Sequence, residues 1–133
     1  MKPIIIYGTG QFAEVAHFYI TNDSKFEIAG FTVEENYLTT SFFKELPVVP
    51  FENVQNKFPP SKYDMFIPIS YRKVNSIRKE KYKEAKSKGY FLISYISSQA
   101  IVNTKEIGDN CFILENNVIQ PFTKIGNNCI IWS

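Results

Sequence analysis

Residues 107–133 read IGDNCFILENNVIQPFTKIGNNCIIWS, and the stretch nearly repeats itself: IGDNCFI opens at Ile107 and IGNNCII at Ile125, eighteen residues on. A finer clock runs beneath the repeat. Isoleucine stands at 101, 107, 113, 119, 125 and 131 without a gap. A period of six fits neither the 3.6-residue turn of a helix nor the two-residue alternation of a strand. It fits a solenoid of three-sided coils in which each six-residue step makes one short side, so that three steps close a coil of about eighteen residues. The expected inward set is Ile101, Ile107, Ile113, Ile119, Ile125 and Ile131. Four places after successive isoleucines stand the compact Cys111, Asn117, Thr123 and Cys129, and GDN and GNN offer corner residues that tolerate left-handed backbone. Cys111 and Cys129 are then expected to stack one coil apart, at roughly 4.8 Å, as small interior side chains rather than a disulfide or metal ligands.

Upstream of residue 100 the pattern changes to alternating strand and helix. KPIIIYG is a short β-branched run closed by glycine, which marks a buried strand. QFAEVAHFYITN follows, with Phe12, Val15, Ala16, Tyr19 and Ile20 at helical spacing. FEIAGFTVE and YDMFIPIS read as further strands, and LPVVP as a short strand with a possible helix after it. RKVNSIRKEKYKEAKSKG reads as a helix ending at Gly89, and YFLISYIS as the last strand of this part. Such alternation predicts an α/β fold, a parallel sheet flanked by helices. The expected organisation is a Rossmann-like domain over 1–98, followed by coils over 99–133.

The first strand runs into GTGQFA, with Gly8, Gly10 and Ala13 in the pattern G-x-G-x-x-A. A glycine at the first position permits the tight turn, one at the second lets backbone approach a ligand, and the following helix start offers N–H groups and a positive dipole end to a phosphate. The plain alternative is a glycine turn without a ligand. Glu34 and Glu35 end the second strand, where such folds place an acid against a sugar or base; the plain alternative is a solvated pair. A complete dinucleotide fold does not fit before residue 100, so a single nucleotide is the expected ligand.

Composition narrows the class. The 133 residues are 44% hydrophobic and 16% aromatic, which suits a packed core and argues against disorder. Two cysteines without a CxxC pair or a Cys/His cluster give neither a disulfide framework nor a zinc site and fit a reducing compartment. MKPIIIYGTG is too short an apolar start for a signal peptide, and nothing approaches a membrane span, so a soluble cytoplasmic protein is expected. Between Arg72 and Lys88 stand eight Lys or Arg against Glu80 and Glu84, although the whole chain carries only +2. This reads as a solvated helix face with Glu80–Lys83 and Glu80–Glu84–Lys88 spacings. Without interleaved aromatics or a known module it does not read as a nucleic-acid surface.

Taken together, IIIYGTGQFAEVAHFYI, LPVVPFE, YDMFIPIS, IRKEKYKEAKSKGY and the six-residue repeats resemble one family along the whole chain. It is the sugar acyltransferases that join a small Rossmann-like domain to a left-handed parallel β-helix, among them sialic acid O-acetyltransferases and bacillosamine and perosamine N-acetyltransferases of bacterial surface-glycan synthesis. The left-handedness is implied by the resemblance alone, since parallel crossovers are generally right-handed. The resemblance further implies homotrimers, acetyl-CoA as co-substrate along the β-helix, and a hydroxyl or amino group of a sugar, often nucleotide-linked, as acceptor. Its binding residues carry over to Gly8, Gly10, Gln11 and Phe12 in the first loop, to Glu34, and to Ser70, Tyr71 and Arg72 after the MFIPI strand. Family members often have glycine followed by Asn or Asp in that last loop, where this chain has SYR.

The family's general base is a histidine of a later coil, suited to accept a proton near neutral pH as the sugar attacks the thioester. The one histidine here, His17, lies on the first helix beside its apolar stripe and is expected to be structural. No catalytic residue is therefore assigned. The chain is expected to be the front portion of a longer enzyme and inactive alone. The alternatives are a non-catalytic sugar-nucleotide-binding scaffold and a nucleotide-binding regulatory or redox module, the latter leaving the repeats unexplained.

Overall fold

The computed structural model describes residues 1–68 and 75–132, and the chain divides into two compact units, Met1–Leu92 and Ile93–Ser133. In the first unit β1 (Ile4–Tyr7) leads into α1 (Gln11–Asp23), and β2 (Ile28–Val33) into a 3-10 turn at Glu35–Tyr37. Next come β3 (Phe42–Phe43), β4 (Leu46–Pro50), a 3-10 turn at Phe51–Asn53, the short α2 (Val54–Lys57), β5 (Asp64–Phe66) and α3 (Asn75–Ser87). The sheet order is β3-β4-β2-β1-β5, with every pairing parallel except β3 with β4.

The apolar run of β1 explains why it lies inside. Ile4, Ile5 and Ile6 are all fully buried, and alternation sends Ile5 to the opposite face from its neighbours. Ile5 joins a cluster with Phe51, Val54, Phe58, Met65, Ala85, Tyr90 and Leu92. On the other face α1 packs against β1 and β2 through its buried residues Ala13, Ala16 and Ile20. The apolar stripe of α1 is thus centred on two alanines, with Phe12, Val15 and Tyr19 only partly buried at its margins. α3 closes with a Schellman motif, in which Gly89 N–H donates to Lys86 O (2.9 Å) and Tyr90 N–H to Ala85 O (3.2 Å).

Two local expectations change. Sequence inspection leaves FFKELP in a loop, but Phe42–Phe43 and Leu46–Pro50 form a hairpin, with Lys44 (φ 51°) and Glu45 (φ 64°) both in the left-handed region. A two-residue hairpin loop needs positive φ at both places, usually signalled by Asn-Gly; Lys-Glu carries no such signal. The stretch YFLISYIS does not form one strand of the sheet. Leu92 bridges Met65 in the first unit, whereas β6 (Tyr95–Ile96) pairs with a strand of the second.

The second unit is built from two-residue parallel strands: β6, β7 (Ile101–Val102), β8 (Phe112–Ile113), β9 (Val118–Ile119) and β10 (Ile130–Ile131). They form three ladders, β6-β8-β10, β7-β9 and the bridge Ile107–Ile125, as the sides of a three-sided coil require. Corners recur every six residues: Asn110, Asn116, Phe122 and Asn128 all have positive φ. Asn110 Nδ2 donates to Asn128 Oδ1 at 2.8 Å, stacking corner on corner. Cys111 and Cys129 are both free thiols at equivalent positions of successive coils.

Ile101 does not turn inward. Phe112 pairs with Ile130 and Ile107 with Ile125, eighteen residues apart, but Tyr95 pairs with Phe112 and Ile101 with Val118, seventeen apart. Val102 therefore takes the place in register with buried Ile119, while Ile101 and Val118 lie outward at 59% and 55% exposure. Five residues separate Val102 from Ile107 instead of six, so the corner NTKE is one residue short and contains no positive-φ residue. Of the other members of the expected set, Ile113 and Ile119 are buried, and Ile107, Ile125 and Ile131 partly so.

Candidate functional site

The carboxyl ends of β1 and β2 lie side by side because the strands are parallel and in register, Tyr7 against Thr32. The chain leaves β1 through Gly8, whose N–H donates to Thr32 O at 2.8 Å and whose φ of +108° suits only glycine. Gly10 is different. Its φ is an ordinary −85°, and among the described residues nothing lies within 4 Å of where a Cβ would stand. It is the N-cap of α1, and among the described residues no side-chain hydrogen bond caps the helix there. The first-turn N–H groups, beginning with Gln11 and Phe12, are thus presented at the sheet's carboxyl edge with the positive end of the helix dipole.

Glu34 follows β2 directly and is not a solvated acid. Tyr7 donates its hydroxyl to Glu34 Oε1, and Lys81 Nζ lies 2.8 Å from the same oxygen. Lys81 also reaches Glu84 at 3.2 Å and sits 5.4 Å from the centre of the Phe51 ring, against which Tyr7 packs edge-on at 5.2 Å. Only 11% of the Lys81 side chain and 18% of the Glu34 side chain are exposed. Around this core, Glu52 accepts from Glu35 N–H at 3.0 Å, and Lys88 Nζ also lies over the Phe51 ring, 5.1 Å from its centre.

Burial, followed by the hydrogen bond to Glu34, pushes the Tyr7 phenol far above its usual range, so it remains a donor at every physiological pH. Burial works to lower the Lys81 pKa, but hydrogen bonds and charge attraction from Glu34 and Glu84 prevail and raise it. Tyr7 and Lys81 are therefore fixed donors around a carboxylate. The cluster can hold and orient a hydrogen-bonding ligand.

Of the residues expected at the site, Gly8, Gly10, Gln11, Phe12 and Glu34 come together at this edge. Ser70, Tyr71 and Arg72 lie outside the described residues. Sequence inspection did not single out Tyr7 or Lys81. The signal for Tyr7 was a phenol closing an all-isoleucine strand; Lys81 was hidden among the other cations of its helix. That helix face is not simply solvated: Lys81 pairs with Glu84, and Lys88 reaches Glu52 O and Gln55 Oε1, both at 3.4 Å, instead of the spacings expected. His17 packs on Phe31, ring centres 5.9 Å apart, and burial holds its pKa below the usual value. Among the described residues no group of three or more His, Cys, Asp or Glu is arranged to hold a metal, and no helix is long and apolar enough to cross a membrane.

Comparison with known proteins bears on both units. Residues 104–133 match the family model of the bacterial transferase hexapeptide (six repeats). Among curated protein sequences none matches the chain. Among solved structures, the whole chain superposes on a histidine-to-asparagine variant of perosamine N-acetyltransferase from Caulobacter crescentus, in complex with CoA and GDP-perosamine, with a TM-score of 0.82 and 19% identity. It likewise superposes on the acetyltransferase domain of PglB from Neisseria gonorrhoeae, with a TM-score of 0.77 and 16% identity; that domain has also been solved with acetyl coenzyme A. The chain spans 61% and 63% of the length of these two proteins. The fold is thus the one found in sugar acetyltransferases: an α/β sheet domain followed by hexapeptide coils.

Proposed function

We propose that residues 1–133 are the substrate-binding part of an acetyl-CoA-dependent sugar O- or N-acetyltransferase, and that a nucleotide-linked sugar binds at the carboxyl edge of the sheet. The diphosphate lies over the Gly8–Phe12 turn and the uncapped start of α1, where backbone N–H groups and the helix dipole favour an anion. Glu34 accepts from the nucleoside or sugar beside it, and Ser70, Tyr71 and Arg72 complete the assignment. The observation that supports this most is Gly10. Neither its backbone angle nor its neighbours require glycine, yet it stands bare at an uncapped helix start beside a positioned carboxylate.

Acetyl transfer itself is not assigned to any residue of this chain. His17 is on α1, packed on Phe31, and burial holds its pKa below the usual value. Acetyl-CoA enters this reading as co-substrate of the enzyme, along the coils, in a cytoplasmic protein of bacterial glycan synthesis. Assembly as a homo-oligomer, a trimer as in the family, is supported by the outward, exposed pair Ile101 and Val118.

The test is titration of the chain with uridine, guanosine and thymidine diphosphates, followed by amide chemical shifts. Perturbation of residues 8–12 is expected with at least one of them. Gly10→Val should remove it while the melting temperature stays within a few degrees, since a Cβ there meets none of the described residues within 4 Å. If no diphosphate perturbs residues 8–12, the assignment is wrong.

A further inference from the structure

We propose that the amino rim of the sheet domain, opposite the edge that carries Glu34, docks by charge on an anionic lipid bilayer through lysines gathered around the end of α3. The topology places them there. β1 and β5 run parallel and begin at Ile4 and Asp64. After β5 the chain returns to pair Leu92 with Met65 in the same direction, so α3 runs back across the sheet and its last turn ends beside the strand starts. Contacts fix the neighbourhood. A Cβ on Gly89, just past the helix, would touch the Pro60 ring at 3.4 Å, and Lys2 Nζ donates to Pro60 O at 3.2 Å. Tyr90 donates its hydroxyl to Phe58 O, and Lys57 Nζ lies 5.9 Å from the centre of the Phe58 ring. Lys86 Nζ lies 5.5 Å from the centre of the Tyr82 ring, and Lys88 reaches Gln55. Lys2, Lys57, Lys62, Lys83 and Lys86 are exposed and Lys88 is half-buried.

Six lysines thus surround one junction. The acids of the two stretches that form it, 57–64 and 83–89, are Asp64, 3.9 Å from Lys2, and Glu84, which Lys81 holds at 3.2 Å. Six cations against two acids leave +4 on this rim, while the whole chain carries only +2, so the remainder is net negative and the molecule is polarised. The helix dipole accounts for lysines in the last turn of α3, where cations are favoured. It does not account for Lys2, Lys57 and Lys62, which come from two other parts of the chain. The partner follows from the chemistry. Lysine is a hydrated point charge on a flexible stem, suited to a diffuse field more than to a bidentate contact. The exposed residues between the lysines are Asn56, Ser61, Ser87 and Gly89, small or polar, whereas a protein partner needs an apolar centre. An anionic bilayer needs neither a pocket nor an apolar centre. Each lysine near such a surface raises partition about fivefold, so several acting together bind without an inserted segment. Docking by this rim leaves the opposite edge, with the Gly8–Phe12 turn, facing water.

Co-sedimentation of the chain with vesicles tests this, with phosphatidylglycerol and phosphatidylcholine in equal parts set against phosphatidylcholine alone. Binding to the anionic vesicles is expected at about 0.1 M salt, where charges act over about 10 Å, and should vanish near about 1 M, where the range falls to about 3 Å. Lys83→Gln with Lys86→Gln should weaken it by about tenfold or more. Lys105→Gln with Lys124→Gln removes the same charge from the second unit and should change it by less than about threefold. If loss of the Lys86–Tyr82 contact unfolds the first pair, Lys57→Gln with Lys62→Gln takes its place with the same expectation. No binding at low salt, binding that persists at high salt or to phosphatidylcholine alone, or equal losses from the patch and the second-unit pairs overturns the proposal. So does binding to duplex DNA as tight as to the vesicles at equal phosphate concentration, since the rim would then be a general polyanion surface and not one for lipid.

Discussion

At the scale of single residues, the side chains that matter are those whose polar atoms are buried with too few or too many partners. Asp64, at the start of β5, is the first kind. Its Oδ1 is buried without a hydrogen bond, and Lys2 Nζ stands 3.9 Å away. Burial raises the carboxyl above its usual pKa, and the charges of Lys2 and the N-terminus offset only part of this. An acid whose folded pKa is raised binds its proton more tightly in the folded chain than in the unfolded one. Stability therefore falls as pH rises from the ordinary aspartate range, about 4, through the higher folded value. Asp64→Asn should flatten that part of the stability–pH profile and leave the protein as stable at pH 7 or more so, by up to about 1 kcal/mol. Urea melts at several pH values check this, and a loss above about 2 kcal/mol would show that the Lys2 contact outweighs the burial cost.

Glu34 is the opposite case, an acid with two donors on one oxygen, and it shows what a sequence can and cannot disclose. Its place after β2 was legible, because the hydrophobic run FEIAGFTV ends there and strand ends in such sheets carry ligand contacts. Its partners were not. Tyr7 lies 27 residues away along the chain and Lys81 further still. Which lysine of a strongly basic helix turns inward depends on how α3 settles on the sheet, not on any local pattern. The same holds at Gly8 and Gly10: one motif names both, but only the folded backbone separates a glycine required by its φ from one with room to spare.

At the scale of elements, the coils show how a strict pattern can still mislead by one residue. The isoleucine clock gave the three-sided solenoid and five of its six inward positions, because every interior step needs a branched apolar side chain. It failed at Ile101, where a shortened corner lets the adjacent Val102 do the same work; two consecutive β-branched residues conceal the slip. The corner above the short one consequently stands alone. Phe122 has φ 66° and is 98% exposed, whereas Asn110 and Asn128 stack and bond through their side chains. A bulky residue in the left-handed region costs on the order of 1 kcal/mol that glycine avoids. Phe122→Gly should stabilise the chain in chemical denaturation by up to about that amount, reduced by the backbone entropy glycine adds to the unfolded state. Gly108 makes the reverse prediction. A Cβ there would come within 2.2 Å of Asn127 Oδ1 and 2.7 Å of its backbone nitrogen, while one at the equivalent Gly126 meets nothing within 4 Å. Gly108→Ala should cost about 1–3 kcal/mol by overpacking, and Gly126→Ala less than about 0.5 kcal/mol; equal effects would mean that the coils do not stack in this register.

For the molecule as a whole, the two units differ in how they can be stable. Met1–Leu92 has a sheet covered on both faces and a buried cluster that draws on β1, β5, α2, α3 and the chain between them. Ile93–Ser133 contains strands of two residues, each held chiefly by the coil before or after it. A solenoid needs about three or more repeats before stacking outweighs chain entropy, and a segment of about 40 residues buries too little surface to compensate by itself. Residues 1–92 expressed alone should therefore unfold cooperatively and keep the Tyr7–Glu34–Lys81 cluster, since every contact of that cluster falls within them. Residues 93–133 as a separate peptide should show no cooperative melt, because Ile107, Ile125 and Ile131 are only partly buried even in the whole chain. Circular dichroism melts of the two fragments decide the matter. A cooperative transition in the isolated 93–133 peptide would show that the isoleucine stack sustains itself. A disordered 1–92 fragment would show that the sheet domain depends on the coils, and would put the nucleotide site under their control.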